Sequence, residues 1–298
     1  MNKIRIAEQD VVFLSYDEPN AEKNYADLCQ KIPWAKRVHG IKGSDAAHKA
    51  CADISETDYF VTVDGDNIVN PEFFNVEIDL DEIGCTRDHV FSWCGKVYIN
   101  DLMYGNGGLK LWNKKFVNNM RTHEASTGDD ARSLVEFCFD DLYYQFNENY
   151  STSYTNGSAF QAWRAGFREG VKMSLNQGEK VNDITTVWWQ NLERLRLWCS
   201  VGADVENGLW SIYGAREGCY LTNCTDWNYT QVRDFEYLTE LWNDNKSVIK
   251  DWELENQIEE LGDKLNQNLG LDISNLDRNA SKFVKSIYRN TPRIIKRF

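Results

Sequence analysis

Tyr59 to Asn67 reads YFVTVDGDN, an apolar and β-branched run that stops at Asp64-Gly65-Asp66. A run of this length, rich in Val and aromatics and closed by a turn signal, predicts a buried strand with two carboxylates at its carboxyl end. In open α/β sheets ligands bind at that end, and two acids flanking a glycine are hard oxygen donors suited to Mg2+ or Mn2+. Asp-Gly is also a hairpin dipeptide, so a surface turn between two antiparallel strands is the competing reading. An EF-hand loop would need an oxygen ligand and then a glycine where Ile68 and Val69 stand, which removes that option.

The stretch gains meaning from what precedes it. Val11-Val12-Phe13-Leu14 predicts another buried strand, running into the polar loop Ser15-Tyr16-Asp17-Glu18-Pro19-Asn20. In doubly wound sheets such a first loop is where nucleotide sites begin; Asp17 or Glu18 would accept hydrogen bonds from a base or ribose, or else cap the helix that follows. Tyr25, Leu28, Cys29 and Ile32 fall on one helical face, a short strand is expected at 34–38, and Ser44 is expected to N-cap a helix whose Ala47, Ala50, Cys51 and Ile54 form a small-residue face. Strand, helix, strand, helix, strand with acids at the tip predicts a nucleotide-binding βαβ half.

Net charge of −13 on 298 residues argues against a protein that coats nucleic acid indiscriminately. The last eighteen residues, SKFVKSIYRNTPRIIKRF, hold six basic and no acidic side chains, so the remainder carries −19; this basic tail is either a phosphate-contacting or membrane-surface arm or a solvated helix balancing an acidic body. No run approaches the roughly 18 apolar residues of a membrane helix, and the amino terminus has no signal-peptide core, so a cytoplasmic protein is expected. Eight cysteines without a CxxC pair or zinc spacing read as free, mostly buried thiols.

The succession DVVFLSYDEPN and KGSDAAHKACADISETDYFVTVDGDN resembles the nucleotide-binding half of GT-A-fold glycosyltransferases of the family-2 type. Tyr104-Gly105-Asn106-Gly107-Gly108, followed by LKLWNKKF, looks like that family's glycine-rich acceptor-side segment, and the resemblance spans roughly residues 10 to 145. A strand ending in Asp-x-Asp also opens haloacid dehalogenase-type phosphatases, but Asn67-Ile68 departs from their continuation. The resemblance implies an α/β fold, a GT-A (Rossmann-like) mixed sheet flanked by helices, in a domain placed at residues 1–225; mixed-sign charges and apolar residues at roughly helical intervals predict a helical extension with the basic tail over 226–298. It implies a UDP-sugar donor held by Ser15, Tyr16, Asp17, Glu18, Lys42, Asp64, Gly65 and Gly107, with Mn2+ or Mg2+ on Asp66 and Asp64. Such a metal would neutralise the leaving diphosphate.

An inverting enzyme of this kind also needs a carboxylate base. The doublet Asp140-Asp141 in FCFDDLYYQF resembles the family's acidic pair at the head of a helix, so Asp141, then Asp140, is expected to be catalytic; Asp129, after Thr127-Gly128, reads as a helix-terminal charge. His123 is a conceivable third ligand but reads as a surface histidine. Trp163, Arg164, Phe167 and Arg168 would suit stacking on a base or sugar, though an ordinary amphipathic helix explains them better, and Trp188, Leu192, Leu195 and Cys199 read as core. Arg216, between two glycines, is expected to meet the diphosphate or the acceptor. The wording of the first half is most similar to tailed-phage enzymes that glycosylate 5-hydroxymethylcytosine in DNA, arabinosyltransferases among them, which implies double-stranded DNA as a partner of the basic tail. A saccharide, lipid-linked glycan or protein acceptor, and a nucleotide-binding module without turnover, are the alternatives.

Overall fold

The computed structural model describes residues 2–105, 107–120, 122, 138, 140–246 and 249–290. They form two compact units, one holding the described residues up to 98 and 103–154, the other 99–102 and those from 155 on.

The first unit contains strands β1 (Lys3–Arg5), β2 (Asp10–Ser15), β3 (Lys36–His39), β4 (Tyr59–Asp64), β5 (Asn67–Val69), β6 (Glu77–Asp79), β7 (Val90–Val97), β8 (Met103–Tyr104), β9 (Leu109–Asn113) and β10 (Tyr143–Ser153). Its helices are α1 (Ala21–Lys31), α2 (Ser44–Ile54), α3 (Leu80–Ile83) and α4 (Lys114–Asn119). β1 and β6 make a small antiparallel ribbon; the main sheet runs β3-β2-β4-β9-β7-β10-β5, with β8 beside β7. β3, β2 and β4 are parallel, β9 is antiparallel to β4 and to β7, and β10 is parallel to β7. This is an α/β, Rossmann-like mixed sheet flanked by helices, as expected.

Both faces of the central strands are covered, which is why they read as apolar runs rather than alternating ones. Val11, Phe13, Val61, Val63, Leu109 and Leu111 pack with Leu28 and Ala21 of α1, whereas Val12, Phe60 and Trp112 pack with Cys51 and Ala52 of α2. α2 starts one residue earlier than expected: Gly43 is its N-cap and Ser44 its first helical residue.

The Asp64-Gly65-Asp66 segment is not a hairpin. β4 and β5 do not pair with each other; β5 pairs antiparallel with β10, at the far edge of the sheet. Four strand spacings of about 4.8 Å separate β4 from β5 along the sheet, roughly 19 Å, yet only Gly65 and Asp66 connect them, a reach of about 10 Å. The sheet must therefore curl over the end of β4. β10 supplies the bend through register shifts between Gln145 and Asn149 and between Asn149 and Ser151. Gly95 and Gly107 let β7 and the start of β9 approach, since a Cβ on Gly107 would lie 2.5 Å from the Gly95 nitrogen.

The second unit is helical: α5 (Ala159–Met173), α6 (Trp189–Trp198), α7 (Gly208–Cys224), α8 (Phe235–Asn245), α9 (Asp251–Leu269) and α10 (Arg278–Ile287). α5 and α7 meet backbone to backbone, Gly166 and Gly170 against the carbonyls of Ser211 and Ala215, Gly214 and Gly218 against those of Trp163 and Phe167. Leu238 of α8 and Leu254 and Ile258 of α9 share one apolar cluster with Trp163, Phe167 and Ile212. The packing thus continues across residue 225, where a boundary was expected, and divides at 154/155 instead. No helix among the described residues is long and apolar enough to cross a membrane.

Candidate functional site

Three loops meet at the carboxyl edge of the first unit's sheet. Those after β2 and β4 carry Glu18, Asp64 and Asp66, and the end of β10 curls onto them. Gly65 is what allows the acids to converge: a Cβ there would lie 2.7 Å from Glu18 Oε2 and 2.9 Å from the Ser15 Cβ. The loop backbone is held from two sides. Asn24 of α1 donates to the Gly65 carbonyl at 3.0 Å, and the Tyr154 amide donates to the Asp66 carbonyl at 2.7 Å. Glu18 Oε2 accepts from the Tyr16 amide at 2.8 Å, and Asp66 Oδ1 accepts from Asn67 Nδ2 at 2.6 Å.

The electrostatics are those of a site short of positive charge. Burial pushes the Asp66 carboxyl up to about 7, with Asp64 and then Glu18 adding to the rise, while hydrogen bonds from Ser153 and Asn67 pull the other way. Burial likewise raises Glu18, against the Tyr16 amide, with Asp17 and Asp64 adding to it. Among the described residues no Lys, Arg or His forms an ion pair with Glu18, Asp64 or Asp66. Clustered carboxylates without a counter-charge suit a divalent cation. No group of three His, Cys, Asp or Glu side chains among the described residues is arranged as a complete metal cage.

The other residues expected at the site divide into groups. Tyr16 and Asp17 are exposed on the loop after β2, and Lys42 is exposed just before α2. Ser15 is buried; its Oγ accepts from Arg37 Nε at 3.1 Å and lies 3.0 Å from His39 Nδ1, tying β2 to β3. Gly107 faces the Gly95 backbone, so the space its missing Cβ leaves is filled by protein.

Asp140 and Asp141 are not brought to the tip. They are exposed in the turn before β10, where Asp140 Oδ1 accepts from the Leu142 amide at 2.9 Å, and they open a strand, not the helix that was expected. Tyr143 pairs with Val90, and the ladder through Phe91, Leu111 and Val61 puts that level at the amino end of β4. Asp64 lies at the other end, at least about 13 Å along the strand direction, beyond the reach of a base to a shared substrate atom.

Arg216 is fully buried within the second unit. Nε donates to the Cys199 carbonyl, Nη1 to the Ile258 carbonyl and to Asn275 Oδ1, and Nη2 to the Ser274 carbonyl, at 2.6–3.1 Å. Its side chain is committed to the core there. Arg164 and Arg168 lie over the Phe235 ring at 5.2 and 4.7 Å, while Trp163 and Phe167 are buried, as the amphipathic-helix reading had it. His123, Asp129 and the tail from residue 291 lie outside the described residues.

Two neighbours of the tip escaped the sequence reading. His48 of α2 is buried, packs edge-on against Trp112 at 5.0 Å, and has Nδ1 2.7 Å from the Ser44 carbonyl oxygen. A carbonyl only accepts, so Nδ1 carries a proton and Nε2 is the bare nitrogen. Burial lowers its pKa, so the ring is neutral at pH 7. Lys110 of β9 is the other; the signal in the sequence is a lysine inside LKLW, a strand buried on both faces.

No protein-family model matches the chain, and no curated protein matches it in sequence. Solved structures do. One is a glycosyltransferase involved in the glycosylation of the major capsid of PBCV-1, 12% identical, covering 48% of this chain and 93% of that one with a TM-score of 0.29. A putative glucose-1-phosphate thymidylyltransferase from Bacillus anthracis, in complex with a sucrose, is 10% identical over 50% of this chain and 90% of that one, TM-score 0.31. The glycosyltransferase GlyE of Streptococcus pneumoniae TIGR4 is 15% identical over 46% of this chain and 45% of that one, TM-score 0.28.

Proposed function

We propose that this chain transfers a glycosyl group from a nucleotide sugar, a UDP-sugar, to an acceptor hydroxyl, with Mn2+ or Mg2+ held by Asp66 and Asp64. The observation that carries the reading is the convergence of Glu18, Asp64 and Asp66, without a cationic partner, at the carboxyl edge of β2 and β4, where open α/β sheets bind nucleotides. A bound divalent ion supplies Lewis-acid neutralisation of the leaving diphosphate. The chain's own residues do the rest of the work there. Asn24 and the Tyr154 amide fix the backbone that aims the two acids, and the Ser153 and Asn67 donors hold the Asp66 carboxyl in place. Glu18, close to Gly65, is placed to accept from a ribose hydroxyl or a base N–H.

For the acceptor we propose 5-hydroxymethylcytosine in double-stranded DNA. What supports it is the resemblance of the first half and the basic tail, of which Lys282 and Arg289 are exposed. Lys285 is not available in the same way, since it pairs with Asp204 at 2.7 Å. The test is to incubate the protein with Mn2+, each of a panel of UDP-sugars, and hydroxymethylated or plain DNA, and to weigh the released nucleosides. A hexose or pentose mass on hydroxymethylcytosine alone is the expected result. Donor hydrolysis without a DNA product points to a saccharide, lipid-linked glycan or protein acceptor; no binding and no hydrolysis of any nucleotide sugar overturns the transferase reading.

A further inference from the structure

Lys110 sits in the middle of a buried strand. β9 lies between β4 and β7, its residues Leu109, Leu111 and Trp112 are fully buried, and Lys110 itself is 7% exposed. The register sets it across from Thr62 on β4 and from Ser92 on β7, and residues paired across strands share a face of the sheet. Asp64, two residues beyond Thr62, points to that same face at the carboxyl edge.

The lysine stem leads to that edge as well. Nζ donates to the Gly107 carbonyl oxygen at 3.0 Å, and the neighbouring Gly108 carbonyl accepts from the Asp64 amide at 2.9 Å. One carbonyl serves an ammonium that has three N–H bonds to give. No carboxylate among the described residues lies within ion-pair distance of it. A charge so buried and so thinly partnered destabilises the fold unless a ligand completes it. Its surroundings are also polar without being satisfied. The Ser92 hydroxyl, across the strand and fully buried, has no hydrogen-bond partner.

We propose that Lys110 is a donor-binding residue whose ammonium takes an anionic oxygen of the nucleotide sugar, from the diphosphate or from a carboxylate on the sugar. This rests on the transferase reading above. It gives the site a cation of its own beside the acids. Lys110 is then a specificity element, separating a charged donor from its uncharged nucleoside.

The test compares full-length wild type, Lys110→Met and Lys110→Arg by calorimetric titration with uridine, UDP, UDP-glucose and UDP-glucuronate, with Mn2+ and with a chelator. Lys110→Met should keep uridine affinity within about twofold and weaken UDP at least about tenfold, the size of a lost charge-assisted hydrogen bond, while Lys110→Arg retains most of it. An equal loss for UDP and UDP-glucose assigns the diphosphate as the partner; a loss confined to UDP-glucuronate assigns the sugar carboxylate. The free Lys110→Met protein should melt no lower than wild type, because the charge it removes is poorly partnered. If wild type prefers UDP to uridine and Lys110→Met keeps that preference for every donor, the proposal is overturned while the transferase reading stands. If Lys110→Met loses its cooperative melt while Lys110→Arg folds, the lysine is structural and the proposal fails. If wild type binds none of the four, the transferase reading itself is wrong.

Discussion

The two units treat buried charge in opposite ways. In the helical unit Arg216 is wholly enclosed and four acceptors surround its guanidinium; nearby, Lys246 meets Glu217 at 2.7 Å and Glu217 also accepts from Trp163 Nε1 at 2.8 Å. At the sheet edge, Glu18, Asp64 and Asp66 crowd together with no cation in ion-pair reach among the described residues, and Lys110 has a single carbonyl. A charge whose partners are all protein holds the fold together. One whose partners are missing marks where something else binds.

The largest effect that would break this contrast is on turnover. Asp66→Asn and Asp64→Asn should each lower metal-dependent donor hydrolysis or transfer by about a hundredfold to a thousandfold at saturating Mn2+, with an unchanged circular dichroism spectrum. Full activity in either variant would remove the tip from the chemistry. Next comes Arg216→Met, which strands the buried Cys199 and Ile258 carbonyls and should lower stability by about 3–5 kcal/mol in urea unfolding. A loss below about 1 kcal/mol would show the guanidinium to be dispensable to the core.

Asp66→Asn should also stabilise the metal-free protein at pH 8. Folding raises this carboxyl from its ordinary value to about 7, so its ionisation destabilises the native state as pH climbs between roughly 4 and 7, and the variant escapes that cost. The gain should be at most about 4 kcal/mol at pH 8, should vanish near pH 4, and should shrink when saturating Mn2+ is added to both proteins; thermal melts across that range measure it. A gain that is the same at every pH would mean that Asp66 is not perturbed by its neighbours. The smallest effect is reserved for Asp141→Asn: standing at the opposite edge of the sheet, it should change turnover by less than about twofold. A loss of orders of magnitude would restore it as the base and require this edge to take part.

Much of the first unit was legible because its signals are local. The β4 run, the polar loop after β2 and the helical faces of α1 and α2 each sit within a dozen residues and follow from periodicity. Asp140-Asp141 failed for a different reason. An acidic doublet before LYYQF suits a helix start or a strand start equally, and only the pairing of Tyr143 with Val90, some fifty residues away, decides which edge of the sheet it occupies. Arg216 was expected to meet a ligand because glycines flank it, whereas Gly214 and Gly218 are the points at which α7 touches α5. Lys110 gains meaning only once β9 is set against Thr62 and Ser92.

The two-residue link from β4 to β5 has a consequence for the order in which the protein assembles. β5 finds its hydrogen-bonding partner only in β10, about eighty residues later in the chain, and pairings of such long range form late because the intervening loop must first be closed. A nascent or truncated chain that ends before residue 143 can possess every acid of the tip and still lack the Ser153 donor and the walls that bury Asp66. In such a fragment the Asp66 carboxyl would lose the burial that is the main cause of its raised pKa. Its proton is thus a built-in reporter of maturation, and following that single resonance by NMR during refolding would time the moment at which the edge becomes a site.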